Sequence, residues 1–295
     1  MQRMQDVTSK KSYEDFKKIV MEEIEERVEG RVEVQTITKN NGIKLDGLMI
    51  SEAGVNIRPT IYLNHYYDKF LRNGLNVVVD EIFSVYERNK MNDSIDISFF
   101  TDADKVRGKI RMKLVNYERN KELLEKIPHV KCMDLVIVFF VEIINTDDEV
   151  ATTLIHNRHM KFWNFTTEDL LEIANENMAE DFKIVSLADI AGNIMGEDFE
   201  EIEMDILTNR RNLNGAIGML KTNLLLEHME KQHIERLVII PSSIHEVLLI
   251  PYDPETDVDS LKKMVHEVNG TQLLPEEILS DNVYIYDGNE IKVIQ

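Results

Sequence analysis

The stretch CMDLVIVFFVEII, residues 132–144, contains the long apolar run of the chain and decides how the rest of the sequence can fold. β-Branched and aromatic residues dominate it, and these favour a pleated strand. A strand without polar alternation is typical of one that is buried on both faces. The stretch therefore predicts a central strand. The turn residues Thr146-Asp147-Asp148 then predict a second strand over 150–155.

Upstream of this strand, hydrophobic spacing predicts a helix, a hairpin and two further helices. Ser12 is a suitable N-cap for the first helix, and Asn41-Gly42 is a strong signal for a hairpin turn. The predicted elements are a helix over 12–29, strands over 32–38 and 43–50, and helices over 60–71 and from Gly74 to about 90.

The segment KVRGKIRMK, residues 105–113, is compatible with two structures. Its alternation of basic and apolar residues indicates a half-buried strand. The wider set of apolar positions steps by four, four and three residues, which favours a helix; these are Val106, Ile110, Leu114 and Tyr117. The longer pattern predicts a helix here, with a second helical stretch over 120–127 before Pro128.

Downstream of the central strand, helices alternate with strands that are joined by turns. Thr166 caps a predicted helix, and Gly215–Gly218 begins either a strand or a helix. The predicted elements are helices over 168–178, from near Ser186, over 219–232 and over 257–268, with strands over 203–208, 236–240, 245–250, 283–286 and 291–294. Such hairpin-paired strands indicate an α+β fold with a mostly antiparallel sheet and inserted helices.

Length and composition describe a soluble globular protein. The 295 residues suggest either two sub-domains, 1–100 and 101–295, or one continuous domain. The N-terminal sequence shows no apolar secretory segment, and no run reaches the ~20 apolar residues of a membrane helix. The single cysteine, Cys132, fits a reducing compartment, so we expect a cytoplasmic protein without a membrane partner.

The net charge of −20 is concentrated in one part of the chain. Residues 166–205 contain thirteen acidic residues and one basic residue, Lys183, whereas residues 105–131 carry an excess of six positive charges. Two solvated surfaces of opposite sign are the simplest interpretation. The alternative is an acidic surface that binds a basic protein, with Glu200, Glu201 and Glu203 as candidate contacts. Direct binding of nucleic acid is disfavoured by the net charge, and an oligomer is possible.

Several stretches of the chain, taken in order, resemble one bacterial family that is described only as a domain of unknown function. Members of that family occur in anaerobic gut bacteria, on conjugative mobile elements and among phage-like genes. The resemblance implies a cytoplasmic protein and no particular activity. It rests on TKNNGIKLDGLMI (38–50), RPTIYLNHYYDKF (58–70), KLVNYERNKELLEKIPHVKCMDLVIVFF (113–140), ILTNRRNLNGAIGML (206–220), IPSSIHEVLLIP (240–251) and LLPEEILSDNVYIYD (273–287).

The stretch PSSIHEVLLIP, residues 241–251, brings two serines, a histidine and a glutamate together. In a strand, Ser243 and His245 share one face, whereas Ser242 and Glu246 point to the other. Ser243 and His245 are therefore candidates for a nucleophile and its general base, and the orienting acid has to come from elsewhere. No G-x-S-x-G elbow is present, so a hairpin turn is the simpler interpretation.

Other candidate sites lack a complete motif. His156 and His159 are candidate metal ligands, but they are three residues apart without the glutamate of an H-E-x-x-H zinc site. Gly215–Gly218 lacks both nucleotide-binding glycine patterns, so close packing against the sheet is the better explanation, and no cofactor is predicted. An aromatic group could line a core or a ligand pocket; its members are Tyr62, Tyr66, Tyr67 and Phe70.

Without a complete catalytic motif, the sequence favours a non-enzymatic role. The leading hypothesis is an accessory or interaction protein of a mobile element or phage that binds a macromolecular partner through its acidic surface. One alternative is a hydrolase that uses Ser243 and His245. Another is a sensor of a small ligand that binds near Tyr66 in a pocket of roughly 300 Å³ or more.

Overall fold

The computed structural model describes residues 12–56, 58–90, 94, 97–145, 150–188 and 204–294. The chain divides into two compact units, Met1–Lys39 with Ile43–Asp96 and Asn40–Gly42 with Ile97–Gln295. All strand pairs among the described residues are antiparallel, and helices are inserted between them. The predicted α+β class is therefore confirmed. A domain boundary at residue 100 stays a prediction.

The first unit is a three-stranded sheet with helices packed on it. Its elements are α1 (Tyr13–Glu25), β1 (Arg31–Thr38), β2 (Lys44–Ser51), β3 (Thr60–Tyr62), a 3₁₀ turn (Leu63–Tyr66), α2 (Tyr67–Asn73) and α3 (Leu75–Asn89). Ser12 caps α1 as predicted, because its hydroxyl accepts a hydrogen bond from the amide of Asp15. The core of the unit is formed by apolar residues of α1, α3 and β2, among them Phe16, Ile82 and Leu48.

The predicted helix over 60–71 is wrong at its start. Residues 60–62 form β3, which pairs with β2 through Leu48 and Ile61, and helical geometry begins only at Leu63. The alternation within Thr60–Tyr62, with Ile61 buried and its neighbours half-buried, is the strand signal that the helical spacing obscured. Asn41 and Gly42 have the positive φ angles expected of a hairpin turn.

The second unit begins with a four-stranded sheet around the predicted central strand. Its first elements are α4 (Ala103–Arg107), β4 (Ile110–Asn116), α5 (Lys121–Leu124), β5 (His129–Cys132), β6 (Leu135–Asn145), β7 (Val150–Leu154), α6 (Asn157–Trp163) and α7 (Thr167–Asn177). One edge of β6 pairs with β4, and the other pairs first with β5 and then with β7. The apolar residues from Leu135 to Val141 are all buried, so the central position is confirmed.

The predicted helix over 105–113 is wrong. Helix α4 ends at Arg107, and β4 pairs along β6 from Ile110 to Asn116. Ile110, Met112 and Leu114 are buried, as the alternation of basic and apolar residues indicates. Apolar residues four positions apart fit a helix, but four is also an even number, so the same spacing keeps one face of a strand. The spacing therefore could not discriminate between the two structures.

The rest of the second unit is a six-stranded sheet in the order β13-β12-β10-β11-β9-β8. Its strands are β8 (Phe182–Ser186), β9 (Asp205–Asn209), β10 (Leu237–Pro241), β11 (Val247–Pro251), β12 (Tyr284–Tyr286) and β13 (Ile291–Val293). A 3₁₀ helix, Gly215–Leu220, leads into α8 (Thr222–Gln232), and α9 (Val258–Thr271) follows β11. Leu225 and Met229 of α8 belong to the main core, whereas Val265 of α9 packs on Val238 and Ile240 from the opposite face.

Asp134 links the β5–β6 turn to the last part of the chain. Its carboxylate accepts hydrogen bonds from the hydroxyl of Ser280 at 2.7 Å, the side-chain amide of Asn282 at 2.9 Å and the hydroxyl of Tyr284 at 2.9 Å. Burial and the neighbouring carboxylate of Asp134 raise the pKa of Tyr284, so its hydroxyl stays a donor. All of these donors belong to the segment from Ser280 to Tyr284, so the hydrogen bonds of Asp134 hold that segment against the β5–β6 turn.

A glycine allows the loop after β9 to contact the β10–β11 turn closely. A Cβ atom on Gly215 would lie 2.5 Å from the backbone nitrogen of Asn209 and 2.7 Å from the carbonyl oxygen of His245. The hydroxyl of Thr208 donates to that same carbonyl at 2.9 Å, which holds the two segments together. The close packing expected of this glycine-containing stretch is therefore confirmed at Gly215.

Some sequence-based expectations fall outside the described residues. These are the turn at Thr146-Asp147-Asp148, most of the helix expected from near Ser186, and Glu200, Glu201 and Glu203. Among the helices that the structure describes, none combines the length and apolar character needed to cross a membrane.

Two glycine substitutions test the packing at the β9 loop. We expect Gly215→Ala to lower the free energy of unfolding by about 1–3 kcal/mol, because its methyl group overlaps backbone atoms. Gly270→Ala is the matched control, since Gly270 lies within α9 and a Cβ there has no atom within 4 Å. The control should raise stability by about 0.5–1 kcal/mol. Urea unfolding followed through the buried Trp163 measures both, and equal stability of Gly215→Ala and wild type would contradict the packing argument.

Candidate functional site

Ser243 lies in the turn between β10 and β11, as predicted. His245, predicted to begin the second strand, also lies in the turn, because β11 begins at Val247. The side chains of both residues contact other partners. The hydroxyl of Ser243 accepts a hydrogen bond from the backbone amide of His245 at 3.0 Å. The Nδ1 atom of the His245 ring accepts one from the backbone amide of Asn214 at 3.1 Å. The Nε2 atom lies 3.5 Å from a carboxylate oxygen of Glu277.

This arrangement supplies the carboxylate that a hydrolytic triad requires but leaves no ring nitrogen for the serine. A general base has to accept the serine proton on one nitrogen while the other is oriented by an acid. Here Nδ1 is occupied by the amide of Asn214, and Nε2 faces Glu277. Ser243 and His245 therefore do not form a nucleophile–base pair in this structure, and their hydrogen bonds hold the turn together instead. The hydrolase hypothesis stays a prediction.

His156 and His159 form part of the helix start and the core. The backbone amide of His156 donates to Nδ1 of His159 at 3.1 Å, and the His159 ring packs edge-on to Phe100 with centroids 4.9 Å apart. Burial lowers the pKa of both histidines. Among the described residues, no group of three or more histidine, cysteine or carboxylate side chains is placed to hold a metal ion.

The aromatic group proposed as a ligand pocket lies largely in the core of the first unit. The Tyr67 ring contacts Phe16 with centroids 5.5 Å apart, and Phe70 contacts Phe16 at 5.0 Å. Tyr66 packs against the same core cluster. Packing of these aromatic rings in the core therefore explains why they recur at helical spacing.

The described part of the acidic segment 166–205 contains α7 and β8. Four exposed glutamates follow one another at intervals of four residues along and just beyond α7: Glu168, Glu172, Glu176 and Glu180. Arg107 of the basic segment reaches Glu176 at 3.5 Å, but both side chains are at least half exposed, so the ion pair contributes little to stability. Glu180 lines a hollow together with Arg111, Arg210 and Arg211, so the row has basic neighbours at its end nearest β8.

Among the described residues, β8 forms one edge of the six-stranded sheet, and the backbone groups of three of its five residues face away from β9. The amides of Arg210 and Leu187 donate to the carbonyls of Asp181 and Met204, which identifies these opposite residues as hydrogen-bonded pairs. Pairing alternates along an antiparallel ladder. The backbone N–H and C=O groups at three intervening positions therefore point to the open edge: Phe182, Ile184 and Ser186.

A groove lies between α8 and the face of the sheet at β8, and we call it the edge groove. It consists of three linked hollows of about 490, 320 and 750 Å³. Phe182 lines the first hollow, Ile184 the middle one, and Ser186 both the middle and the last. Leu224 and Glu227 of α8 connect the first two hollows, so the helix and the strand run side by side. The last hollow continues inward from Ser186 past Asp205 of β9 to Leu249 of β11 and Leu237 of β10.

The last hollow contains a buried histidine beside a carboxylate. Only 8 % of His228 is exposed, and its Nε2 atom lies 3.1 Å from Oδ2 of Asp205. The ring is not aligned for a hydrogen bond, and Nε2 has no hydrogen-bond partner among the described residues. Burial lowers the pKa of His228, an effect that outweighs the opposing influence of Asp205, so the ring is neutral near pH 7. Ser186 lies opposite Asp205 across the β8–β9 ladder and lines the same hollow.

A lysine stands at the other end of the edge groove. Lys221 donates a hydrogen bond to the side chain of Asn175 at 2.9 Å, and its ammonium lies 5.6 Å from the centre of the Phe182 ring. Burial lowers its pKa. The first hollow is lined by one lysine and one carboxylate, Lys221 and Glu227, whereas the described lining of the last hollow contains carboxylates and neither lysine nor arginine.

The sequence does not predict the edge groove, because none of its residues belongs to a recognisable motif. No strand was predicted over 182–186, and His228 lies within a helix that was predicted only as an element. The signal for His228 was its position on the apolar face, next to Met229 and three residues after Leu225. Nothing in the sequence indicated that Asp205 would meet it.

The titration of His228 is a direct test of its environment. We expect its imidazole to titrate below the ordinary pKa of 6.5 in an NMR pH titration, because burial disfavours the charged ring. The His228 ring of the unfolded chain then binds a proton at a higher pH than the ring of the folded chain. The free energy of unfolding therefore decreases as the pH falls below about 6.5. His228→Gln should reduce the pH dependence of unfolding in that range. A midpoint at or above 6.5 would contradict the burial argument.

The model of a Family of unknown function (DUF5688) matches residues 13–288, which is most of the chain. No curated protein and no solved structure matches the chain. The occurrence in gut anaerobes and on mobile elements stays a prediction. The resemblance itself is confirmed: the chain belongs to this family of unknown function.

Proposed function

We propose that the protein is a non-enzymatic interaction protein that binds an extended segment of a protein partner along the open edge of β8. The observation that carries this proposal is the set of outward backbone groups at Phe182, Ile184 and Ser186. An exposed row of alternating donors and acceptors is a template for one more strand. Several peptide-binding domains recognise their ligands by adding a strand in this way.

The edge groove provides room for the side chains of such a segment. Strand β8 has five residues, so its length of about 17 Å matches five residues of an extended ligand. Alternate side chains of an added strand would face α8, where the three hollows lie. An edge without hollows could bind a ligand only through the ligand's backbone. The hollows beside this edge could also discriminate between ligands by their side chains.

The acidic surface predicts that the partner is basic. Glu168, Glu172 and Glu180 are exposed in the segment that leads into β8, and Asn175 and Ala179 of the same segment line the first hollow. A bound segment that continues beyond Phe182 would pass this row. Charges of opposite sign across an interface accelerate association and favour the correct partner.

A proline in the open edge tests the strand-addition proposal. Full-length protein is used to select ligands from a random library of 12-residue peptides, and affinities of the selected peptides are measured by fluorescence polarisation. Ile184→Pro should weaken binding about tenfold or more, because it removes an outward N–H without breaking the β8–β9 ladder. Ile184→Ala is the matched control that loses the side chain and keeps the N–H.

Amide hydrogen exchange locates the bound peptide. The amides of Phe182, Ile184 and Ser186 should become protected on binding. Equal affinity of the proline and alanine variants, or protection confined to other strands, would overturn the proposal. Protection of the same amides without peptide, together with a dimer in solution, would show that a second copy of this chain occupies the edge instead.

Charge reversal tests the acidic surface separately. A Glu168→Lys, Glu172→Lys, Glu180→Lys variant should bind the selected peptides about tenfold more weakly at low salt, and raising the salt should reduce the difference. The same is expected for reversal at Glu200, Glu201 and Glu203. A control variant changes three exposed acids near α9: Glu255, Asp259 and Glu267. Binding that is indifferent to all of these changes and to salt would exclude a basic partner.

The cellular setting in this proposal follows from the sequence. We place the protein in the cytoplasm, as an accessory protein of a mobile element or phage. Its single cysteine, Cys132, is half-buried, and burial raises the pKa of its thiol, which fits a packing role in a reducing compartment.

A further inference from the structure

Resting on the proposed strand addition, we infer that the last hollow of the edge groove is an anchor pocket for a cationic side chain of the bound segment, with arginine as the best fit. The pocket adjoins Ser186, the last position of β8, and contains Asp205 and His228. A side chain from a strand paired with β8 would enter at Ser186 and reach over it to Asp205 of β9.

The polar lining of the anchor pocket has one sign of charge. Asp205 and Glu235 contribute two carboxylates, and the described lining contains neither lysine nor arginine. Lys231 lies in the middle hollow next to it. A cation in the last hollow would meet two carboxylates, whereas the neighbouring positive groups, Lys231 and Arg236, lie outside its described lining.

The unsatisfied nitrogen of His228 supports a donor with several N–H groups. Its Nε2 atom is buried, has no hydrogen-bond partner among the described residues, and lies 3.1 Å from Oδ2 of Asp205. With the ring proton on Nδ1, two acceptors face each other there, an arrangement that costs free energy until a donor bridges them. A guanidinium group presents five N–H donors in a planar fork and can bridge two acceptors.

The apolar wall of the pocket suits the aliphatic part of such a side chain. Leu237 and Leu249 form its buried floor, and Pro251 and Tyr252 continue it towards the surface. Arginine and lysine pack their methylene groups on apolar surface while the charged end reaches a polar group. A metal ion is the less suitable occupant, because no group of three ligating side chains is placed together in the described residues.

The anchor pocket can be tested with a small probe and without any selected peptide. N-Acetyl-arginine amide is titrated into the full-length protein, and chemical shifts of the His228 ring and the Ser186 and Asp205 amides are followed by NMR. We expect millimolar binding that is at least about fivefold weaker for the neutral isostere N-acetyl-citrulline amide. Asp205→Asn should weaken binding by about fivefold, and the more exposed Glu235→Gln by less.

Controls separate a specific loss from a general one. Asp253→Asn removes an exposed carboxylate outside the pocket lining and should leave the titration unchanged. The melting temperature of Asp205→Asn shows whether the variant folds, and Glu235→Gln tests the pocket again at a surface position. Equal binding of the arginine and citrulline probes, or an unchanged affinity in both pocket variants, would overturn the inference.

The two proposals fail in distinguishable ways. If Ile184→Pro abolishes peptide binding but the probes bind equally, strand addition stands and the cationic anchor is wrong. If the arginine probe binds through Asp205 but no peptide protects the β8 amides, the pocket stands and strand addition is wrong. Selected peptides that share a basic residue, and lose affinity when it becomes norleucine, would support both.

Discussion

The pairing of β6 on both of its edges is the constraint on which the second unit depends. Its residues bond to β4 along one edge and to β5 and β7 along the other. Because the strand is also buried on both faces, its apolar side chains contribute to two clusters, with Phe139 in the main core and Val136 and Val138 in a smaller one. The main core continues into the six-stranded sheet through Leu207 and Ile239. The edge groove is thus built on a part of the molecule that cannot shift without disturbing this core.

Strand β8 lies at the opposite extreme of the same unit. It is short, pairs with one neighbour, and its residues are all half-exposed. Helix α8 is fixed by Leu225 and Met229 in the core, while the strand beside it has no partner on its outer side among the described residues. A binding site needs both properties, since a fixed wall reduces the entropy lost on binding and an open edge supplies the unmet hydrogen bonds.

How far the sequence predicts this structure depends on how local each signal is. The composition of residues 132–144 predicted β6, and the Asn41-Gly42 turn and the Ser12 cap predicted their elements, because each depends on neighbouring residues. The strand over 110–116 was mistaken for a helix because a four-residue spacing satisfies both periodicities. The pocket that contains Asp205 and His228 could not be predicted from the sequence for a different reason. Asp205 meets His228 only through the packing of α8 on the sheet, and an edge strand has the same sequence character as an inner one.

The open edge of β8 also bears on how this chain behaves alone at high concentration. An unpaired edge can recruit a second molecule as readily as a ligand, and repeated recruitment leads to aggregates. The net charge of −20 opposes this, because two copies that approach edge to edge repel each other before their backbones can pair. If a basic partner binds as proposed, the acidity of the chain serves colloidal stability as well as recognition, because like charges keep copies apart and opposite charges attract the partner. High salt screens that repulsion, so we expect association of the free protein to increase with the salt concentration.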